Sequence, residues 1–412
     1  MIRRLSLVLA ALGACALVDA RAQGVRLPDI GSSAGQMLTP TEERAYGANM
    51  LHELRGLALV LDDPLLDDYI ATLGYRLVAH SDKPDRGKYT FFVVRDKAIN
   101  AFAAPGGYIG VNAGLITTAD DESELAAVLA HEIAHITQKH LLRAFEDAQK
   151  TTLPIALAML GALIATQGAS GDAAEAVLAT GTSLMQQRQI NFTRQDEAEA
   201  DRVGIQTLAR SGFKPEAMAD FFGRMDRAIR PGFDESDIPS LLRTHPVSTS
   251  RISDAKARAL GIQKELGKTS VDAHEIDLTN VLPSLAPPKP AADDLSALPT
   301  VRVVAPANRR GSDYFAFMRE RVRVLSSDQP GALVGYYADS LRKRPDFETP
   351  ANRYGYALAL LQDRQPDEAR TELKPLLERE PDNLALNLAR ARADLDARSE
   401  EHTSELQSHA CI

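Results

Sequence analysis

Cysteine is nearly absent from this 412-residue sequence, where Cys15 and Cys411 are the two examples. If a leader that contains Cys15 is removed, the folded part can form no internal disulfide bond, so core burial or a metal must stabilise it. Basic residues are also in deficit, since 47 lysines and arginines stand against 56 acidic residues and give a net charge of -9. Without a basic excess to neutralise phosphates, no nucleic-acid partner is expected.

The N-terminus has no apolar run of the roughly 20 residues that a membrane span needs. It has instead two arginines, a short apolar stretch over Leu5–Val18 and the small-residue sequence Ala20-Arg21-Ala22. This order predicts a signal peptide over residues 1–22 and export to the bacterial periplasm. Leu12-Gly13-Ala14-Cys15 supports an alternative, in which lipid attached to Cys15 anchors an exported lipoprotein.

Apolar periodicity predicts a mainly helical α+β protein. We expect helices over 40–82, 120–144 and about 172–210, and extended runs at Tyr89–Val94 and on both sides of Gly106-Gly107, where a glycine pair indicates a hairpin. Leu153–Ala165 is apolar nearly all round but too short to cross a bilayer, so a buried helix is predicted there. Peripheral membrane association is the alternative.

Composition divides the rest of the chain. Residues 263–310 are rich in proline and predict an interdomain linker after a domain over 23–262. Residues 311–398 predict tetratricopeptide-like helical repeats, because Arg344-Pro345-Asp346 and Glu380-Pro381-Asp382 recur 36 residues apart. An ordinary helical hairpin is the alternative. Residues 399–412 resemble translated sequencing-adapter sequence and are interpreted as a non-native tail that truncates the repeats.

The motif His131-Glu132-Ile133-Ala134-His135 carries the chemistry. Residues four apart lie on one helix face, so both imidazoles can bind one zinc ion at about 2.0–2.1 Å. Glu132 points beside the metal, where it can take a proton from water. Two exposed histidines are the bland alternative, but the preceding apolar run from Leu125 to Ala130 predicts a buried helix, and buried imidazoles need partners.

A catalytic zinc needs a third protein ligand and an open position. Glu197 is the candidate, and Asp201 lies one helical turn later on the same face. We expect Glu197 to bind zinc and Asp201 to accept the second N–H of a ligand histidine, which fixes its tautomer. Glu199 lies off that face and is interpreted as part of a solvated acidic surface. His52, His80, His140 and His274 are interpreted as surface or core residues without a metal role.

Several of these motifs occur together in one known family. The run Ile99-Asn100-Ala101-Phe102-Ala103-Ala104-Pro105-Gly106-Gly107-Tyr108, Gly114-Leu115, the His131–His135 motif and Glu197-x-x-Ala200-Asp201 resemble the gluzincin family that includes the HtpX and CAAX-prenyl proteases. The resemblance implies a zincin-like protease domain with one zinc ion, Glu132 as base and Glu197 as third ligand. It also implies a proton-donor role for Asp201, although an aspartate bonded to a ligand histidine should stay ionised.

Thr244-His245-Pro246, followed by Arg251, matches the pattern of exported members of that family. His245 would then act at the site in one of two ways. It could occupy the fourth zinc position and keep the enzyme latent, or donate a hydrogen bond to the oxyanion. The alternative is that His245 is a loop residue, held by Pro246, without a role at the site.

The sequence therefore predicts a zinc endopeptidase of the periplasm that acts in quality control and assembly of outer-membrane proteins. Unfolded or misfolded outer-membrane proteins are the expected substrates, and the repeat region is expected to dock on the assembly machinery. Extended substrate would pair with an exposed strand at Asn100–Phe102 or Tyr108–Asn112. The alternative is a chaperone-like scaffold whose metal site is latent.

Overall fold

The computed structural model describes residues 39–83, 89–144, 146–147, 193–228, 241–242, 245–271 and 312–410. Its strands are β1 (Thr90–Val94), β2 (Ala101–Ala104) and β3 (Tyr108–Asn112). Its helices are α1 (Pro40–Gly56), α2 (Pro64–Ala79), α3 (Ala113–Thr118), α4 (Glu122–Thr137), α5 (193–210), α6 (Ala217–Ala228), α7 (Thr249–Val271), α8 (Ser312–Leu325), α9 (Pro330–Lys343), α10 (Pro350–Gln362), α11 (Pro366–Arg379) and α12 (Leu384–Ala410).

The expectation of a mainly helical α+β protein is confirmed, with one small sheet among many helices. Among the described residues, no helix combines the length and the apolar character needed to cross a bilayer. The signal peptide predicted over 1–22 and the apolar stretch 153–165 lie outside the described residues.

Two helices occupy the region where one helix was predicted over 40–82. Helix α1 opens with a capping box, in which Thr39 and Glu42 exchange hydrogen bonds. The chain then leaves the helix through Ala58, whose φ is 55°. Asp63 caps α2 by accepting hydrogen bonds from two backbone N–H groups of its first turn. The single-helix prediction is wrong because the residue before Pro64 is disfavoured in helical conformation.

The sheet has the order β1-β3-β2, with β1 parallel and β2 antiparallel to β3. The predicted hairpin joins β2 to β3, and Gly106 and Gly107 both have positive φ, at 79° and 83°. Because β3 lies between two strands, its backbone groups are already paired along Tyr108–Asn112. Substrate pairing with that run, one of two predicted alternatives, is therefore wrong, whereas β2 lies at the edge of the described sheet.

Helix α4 is shorter than the helix predicted over 120–144. Asp121 is its N-cap and accepts a hydrogen bond from the backbone N–H of Glu124. The helix ends at Thr137, and Lys139 has a φ of 58° before helical structure resumes at 140–144. This break separates His140 from the axis of α4.

Residues 263–271 were assigned to the linker but continue α7 to Val271. The assignment is wrong there because this segment contains no proline, the first proline of the linker being Pro283. Residues 272–311 lie outside the described residues.

Helices α9 to α12 pack in succession, whereas α8 also packs against elements that come before it in the chain. Helix α8 contacts α2 and α3 as well as α10. Phe315 and Met318 of α8 are buried in the same apolar core as the sheet and α4. Arg321 donates two hydrogen bonds to Asp63 at 2.8 and 2.6 Å and a third to the hydroxyl of Tyr354.

Candidate metal centre

Helix α4 brings two imidazoles together inside the protein. The run from Leu125 to Ala134 is buried, which places His131 in the interior and leaves the side chain of His135 15% exposed. The Nε2 atoms of His131 and His135 lie 3.0 Å apart. One helical turn between the residues accounts for this approach, because side chains at i and i+4 stack on one face.

Helix α5 carries Glu197 into contact with both rings. Its carboxylate oxygens lie 3.4 Å from His131 Nε2 and 3.5 Å from His135 Nε2. The loop before α7 adds His245, whose Nδ1 is 2.8 Å from Glu197 Oε1 and 3.4 Å from His131 Nε2. One donor atom from each of these four residues lies within 4.8 Å of the other three.

This donor set fits zinc. Two ligands at about 2.0–2.1 Å from a tetrahedral zinc ion lie about 3.3–3.4 Å apart. The contacts His131–Glu197, His135–Glu197 and His131–His245 are 3.4, 3.5 and 3.4 Å. Two nitrogens and a carboxylate oxygen are also the ligand types that catalytic zinc uses, with a fourth position left for water or another ligand.

The electrostatics of the cluster favour positive charge at its centre. Burial disfavours the imidazolium form of His131, but hydrogen bonds to Asp201 and Glu197 outweigh it and raise the pKa of His131 well above its usual value. Burial opposes the ionised form of Glu197, yet its bonds to His131 and His245 hold its pKa far below the usual range. Burial and the charge of His131 lower the pKa of His135. The buried pocket thus stabilises one cation between its carboxylates.

Asp201 lies behind His131, on the side away from the other three residues. Its Oδ1 is 3.0 Å from His131 Nδ1, and Arg251 of α7 forms a two-point contact with the same carboxylate at 2.7 and 2.8 Å. Burial opposes ionisation, but the bonds to Arg251 and His131 lower the pKa of Asp201. Arg251 also reaches Glu197 Oε2 at 2.9 Å and the carbonyl of Pro246 at 2.8 Å, which ties the His245 loop to α5.

Glu132 faces a cavity of about 600 Å³ beside the four residues. Its Oε1 lies 3.6 Å from His245 Nε2, and the His245 and His131 rings, when protonated, favour the ionised carboxylate. Burial nevertheless raises the pKa of Glu132. Residues 102–104 line the same cavity, so the edge strand runs past Glu132. The cavity is lined by β2 on one side and by His135 and His245 on the other.

His140 is the residue that sequence reasoning missed. On an uninterrupted helix it would lie about 180° around the axis from His131, since nine residues turn about 900°. The break at Lys139 returns the ring to the cluster, where His140 Nδ1 lies 2.8 Å from His135 Nδ1. Burial and the charge of Arg143 lower the pKa of His140 to about 4. His140 is thus buried directly behind His135, a contact that the sequence did not predict because no local signal in it marks the break.

The remaining sequence interpretations are mixed. His52 and His80 are exposed, as expected, and His274 lies outside the described residues. Glu199 is not simply solvated, because its carboxylate accepts a hydrogen bond from Arg143 at 2.7 Å and lies 3.3 Å from His140 Nε2.

Comparison with known proteins adds a family match and several relatives. The model of Peptidase family M48 matches residues 64–259, which include the four clustered residues and Glu132. A beta-barrel assembly-enhancing protease of Yersinia pestis is 36% identical over 358 residues, covering 87% of this chain and 64% of that protein. A Vibrio cholerae relative of the same kind is 35% identical over 369 residues, covering 90% of this chain and 67% of the relative.

A mitochondrial metalloendopeptidase of Schizosaccharomyces pombe is 32% identical over 188 residues, covering 45% of this chain and 50% of that protein. The chain thus spans about two thirds of the bacterial relatives, at 64% and 67% of their lengths.

Proposed function

Because this chain belongs to peptidase family M48, we propose that it is a zinc-dependent endopeptidase of the bacterial periplasm, acting in assembly and quality control of outer-membrane proteins. One observation carries the proposal: the Nε2 atoms of His131 and His135 and the carboxylate of Glu197 converge in a buried pocket, with Glu132 beside them. The name of the Yersinia relative supports the link to β-barrel assembly.

We assign His131, His135 and Glu197 as the ligands of one zinc ion per chain. When bound, the ion would lower the pKa of water and polarise the scissile carbonyl. Asp201 Oδ1 lies 3.0 Å from His131 Nδ1, where it would accept the Nδ1 hydrogen of a zinc-bound His131 and so direct the Nε2 lone pair at the metal position. Asp201 stays ionised because Arg251 compensates its charge, which argues for this positioning role over proton donation.

Glu132 acts as the general base. It accepts a proton from the attacking water and later delivers that proton to the leaving amine. A carboxyl group whose pKa is raised by burial suits both steps, because it can hold the proton between them. Backbone groups of β2 would pair with extended substrate along Asn100–Phe102 and bring the scissile bond past Glu132.

His245 lies where a fourth ligand would bind. Its Nδ1 contacts Glu197 at 2.8 Å and His131 Nε2 at 3.4 Å, and these contacts favour a resting state in which the ring occupies the position that water needs. Hydrogen bonding of the same ring to the oxyanion is the alternative role. In the first case His245 restrains activity, and in the second it supports activity.

Residues 1–22 would direct export, with lipid attachment at Cys15 as the alternative route to an anchored protein. Within the region predicted over 311–398, α8 packs in the core of the protease region, and helices α9 to α12 up to residue 398 would form tetratricopeptide-like repeats that dock on the outer-membrane assembly machinery. Buried Ala357, Leu360, Ala369 and Leu373 support the repeat assignment. A chaperone-like scaffold with a latent metal site is the second candidate, favoured by the position of His245.

Zinc content and hydrolysis of unfolded casein test the proposal on the full chain. We expect Glu132→Gln to retain about one zinc ion per chain while hydrolysis falls by about 10²–10⁴-fold, the contribution of a positioned general base. The exposed Glu53→Gln is the matched control and should leave both quantities unchanged. Wild-type hydrolysis in Glu132→Gln, or a wild-type chain that binds no zinc, contradicts the proposal.

His245→Ala separates the two roles of that residue in the same assay. Faster hydrolysis with zinc retained supports the restraining role, whereas slower hydrolysis supports oxyanion binding. If wild type and Glu132→Gln hydrolyse nothing yet both bind unfolded outer-membrane protein, the scaffold candidate is favoured.

A further inference from the structure

A second group of polar side chains lies behind His135, on the side away from the metal position. His135 Nδ1 faces His140 Nδ1 at 2.8 Å, and His140 Nε2 lies 3.3 Å from Glu199 Oε2 and 3.7 Å from Asp196 Oδ1. Arg143 contacts the same two carboxylates at 2.7 and 3.1 Å. The imidazole of His140 is therefore held from both ends.

The hydrogen atoms in this chain of contacts can be arranged in one consistent way. An imidazole that binds a metal through Nε2 carries its hydrogen on Nδ1, so His135 donates and His140 Nδ1 accepts. Neutral imidazole has one hydrogen, which His140 must then carry on Nε2, where it points at the carboxylate of Glu199. Arg143 compensates the charge of that carboxylate. Both ring nitrogens of His140 then have a partner, one accepting from His135 and one donating to Glu199.

We propose that His140 is a positioning residue that fixes the ring orientation and tautomer of His135, with Glu199 and Arg143 holding His140 in place. The inference rests on the proposed zinc site. It gives the two ligand histidines different supports: an ionised carboxylate, Asp201, behind His131 and a neutral imidazole behind His135. Such supporting contacts make a ligand more basic and restrict its rotation, which strengthens metal binding.

A second metal site is the competing interpretation of the same cluster, because His140, Asp196 and Glu199 offer donor atoms close to one another. The contacts argue against it. Arg143 already places a guanidinium on both carboxylates, and a metal at Nε2 would compete with that cation for the same oxygens. The positioning role uses all the observed contacts, whereas a metal would have to displace the arginine.

Three substitutions of His140 distinguish its two ends. The amide oxygen of Asn lies near the position of Nδ1, so His140→Asn keeps an acceptor for His135. The amide of Gln lies near Nε2, so His140→Gln keeps the contact with Glu199 but withdraws the acceptor from His135. His140→Leu removes both. The exposed His52→Asn is the control.

The measurement is the zinc dissociation constant of each full-length variant, by competition with a chelator of known affinity, with circular dichroism to verify folding. We expect His140→Leu and His140→Gln to bind zinc about 10–100-fold more weakly, as for other lost supporting contacts. His140→Asn should bind close to wild type, a rescue that a merely structural role would not produce.

Wild-type affinity in His140→Leu, or equal weakening in His140→Asn and His140→Leu, overturns the inference while leaving the zinc site intact. A wild-type chain that binds no zinc overturns the proposed function and this inference together. Zinc at two ions per wild-type chain, falling to one in His140→Leu, would instead establish the competing second site.

Discussion

Arg251 holds together two carboxylates and the loop that carries His245. It is buried and contacts the carboxylates of Asp201 and Glu197 and the carbonyl of Pro246. Removing one partner of a buried ion pair leaves an uncompensated charge in the interior, which costs far more than losing an exposed pair. Arg251 therefore stabilises both the fold and the position of the His245 loop.

Replacing Arg251 with Met should lower the free energy of unfolding of the metal-free protein by about 3–5 kcal/mol. Urea denaturation in the presence of a chelator measures this without a contribution from zinc. Arg258→Met, an exposed position on the same helix, is the control and should change stability little. An Arg251→Met protein as stable as that control contradicts the assignment.

The same variant has an expected pH dependence. Because the folded-state pKa of Asp201 is depressed by Arg251 and His131, ionised Asp201 stabilises the fold above its unfolded-state pKa. That contribution is lost as the pH falls through the folded-state pKa. The stability difference between wild type and Arg251→Met should therefore be full at neutral pH and shrink below the usual aspartate range.

At the scale of elements, Gly114 sets how closely α3 approaches the connection between β1 and β2. A Cβ atom at Gly114 would lie 2.0 Å from the carbonyl oxygen of Lys97 and 2.6 Å from that of Ala98. Both are backbone atoms, so they cannot yield by rotating a side chain. The close approach also permits the Gly114 N–H to donate to the carbonyl of Asp96 at 2.8 Å.

Gly114→Ala should therefore destabilise the protein by about 1–3 kcal/mol, the usual cost of overpacking. Gly56→Ala is the matched control, since nothing lies within 4 Å of a Cβ there and alanine favours helix. Thermal unfolding compares the two. If both variants melt at the wild-type temperature, the approach of α3 to the strand connection is looser than described.

Elements with a local signature were predicted well. The hairpin follows from Gly106-Gly107, and the grouping of His131 with His135 and of Glu197 with Asp201 follows from one-turn spacing on a helix. Features that depend on pairing between distant segments, or on one backbone angle, were not predicted. The central place of β3 depends on a parallel pairing with β1 that no local pattern encodes, and the return of His140 depends on the positive φ of Lys139.

At the scale of the whole molecule, Asp63 and Arg321 join the start of α2 to α8 and, through Tyr354, to α10. Their side chains are 12% and 14% exposed and meet through two hydrogen bonds. Asp63 also caps α2, and Arg321 also holds the hydroxyl of Tyr354 in α10. One ion pair and one further hydrogen bond thus connect the start of α2, helix α8 and helix α10.

A double-mutant cycle with Asp63→Asn and Arg321→Met tests this connection. Each single variant should lose about 3–5 kcal/mol of unfolding free energy, because each leaves a mostly buried charge without its partner. The double variant should lose less than the sum, by about 0.5–3 kcal/mol of coupling. Arg342→Met, whose side chain is 71% exposed, is the control and should cost at most about 1 kcal/mol. Strict additivity contradicts a direct connection.

The docking of α8 on α2 and α3 has a practical consequence for dissecting this enzyme. A fragment that ends before Ser312 would expose the apolar surface of α2 and α3 that Phe315 and Met318 now cover. Such a fragment should self-associate in solution, whatever the integrity of its histidines. The smallest well-behaved catalytic unit therefore has to carry α8 along, and a cut between peptidase and repeats belongs after Leu325.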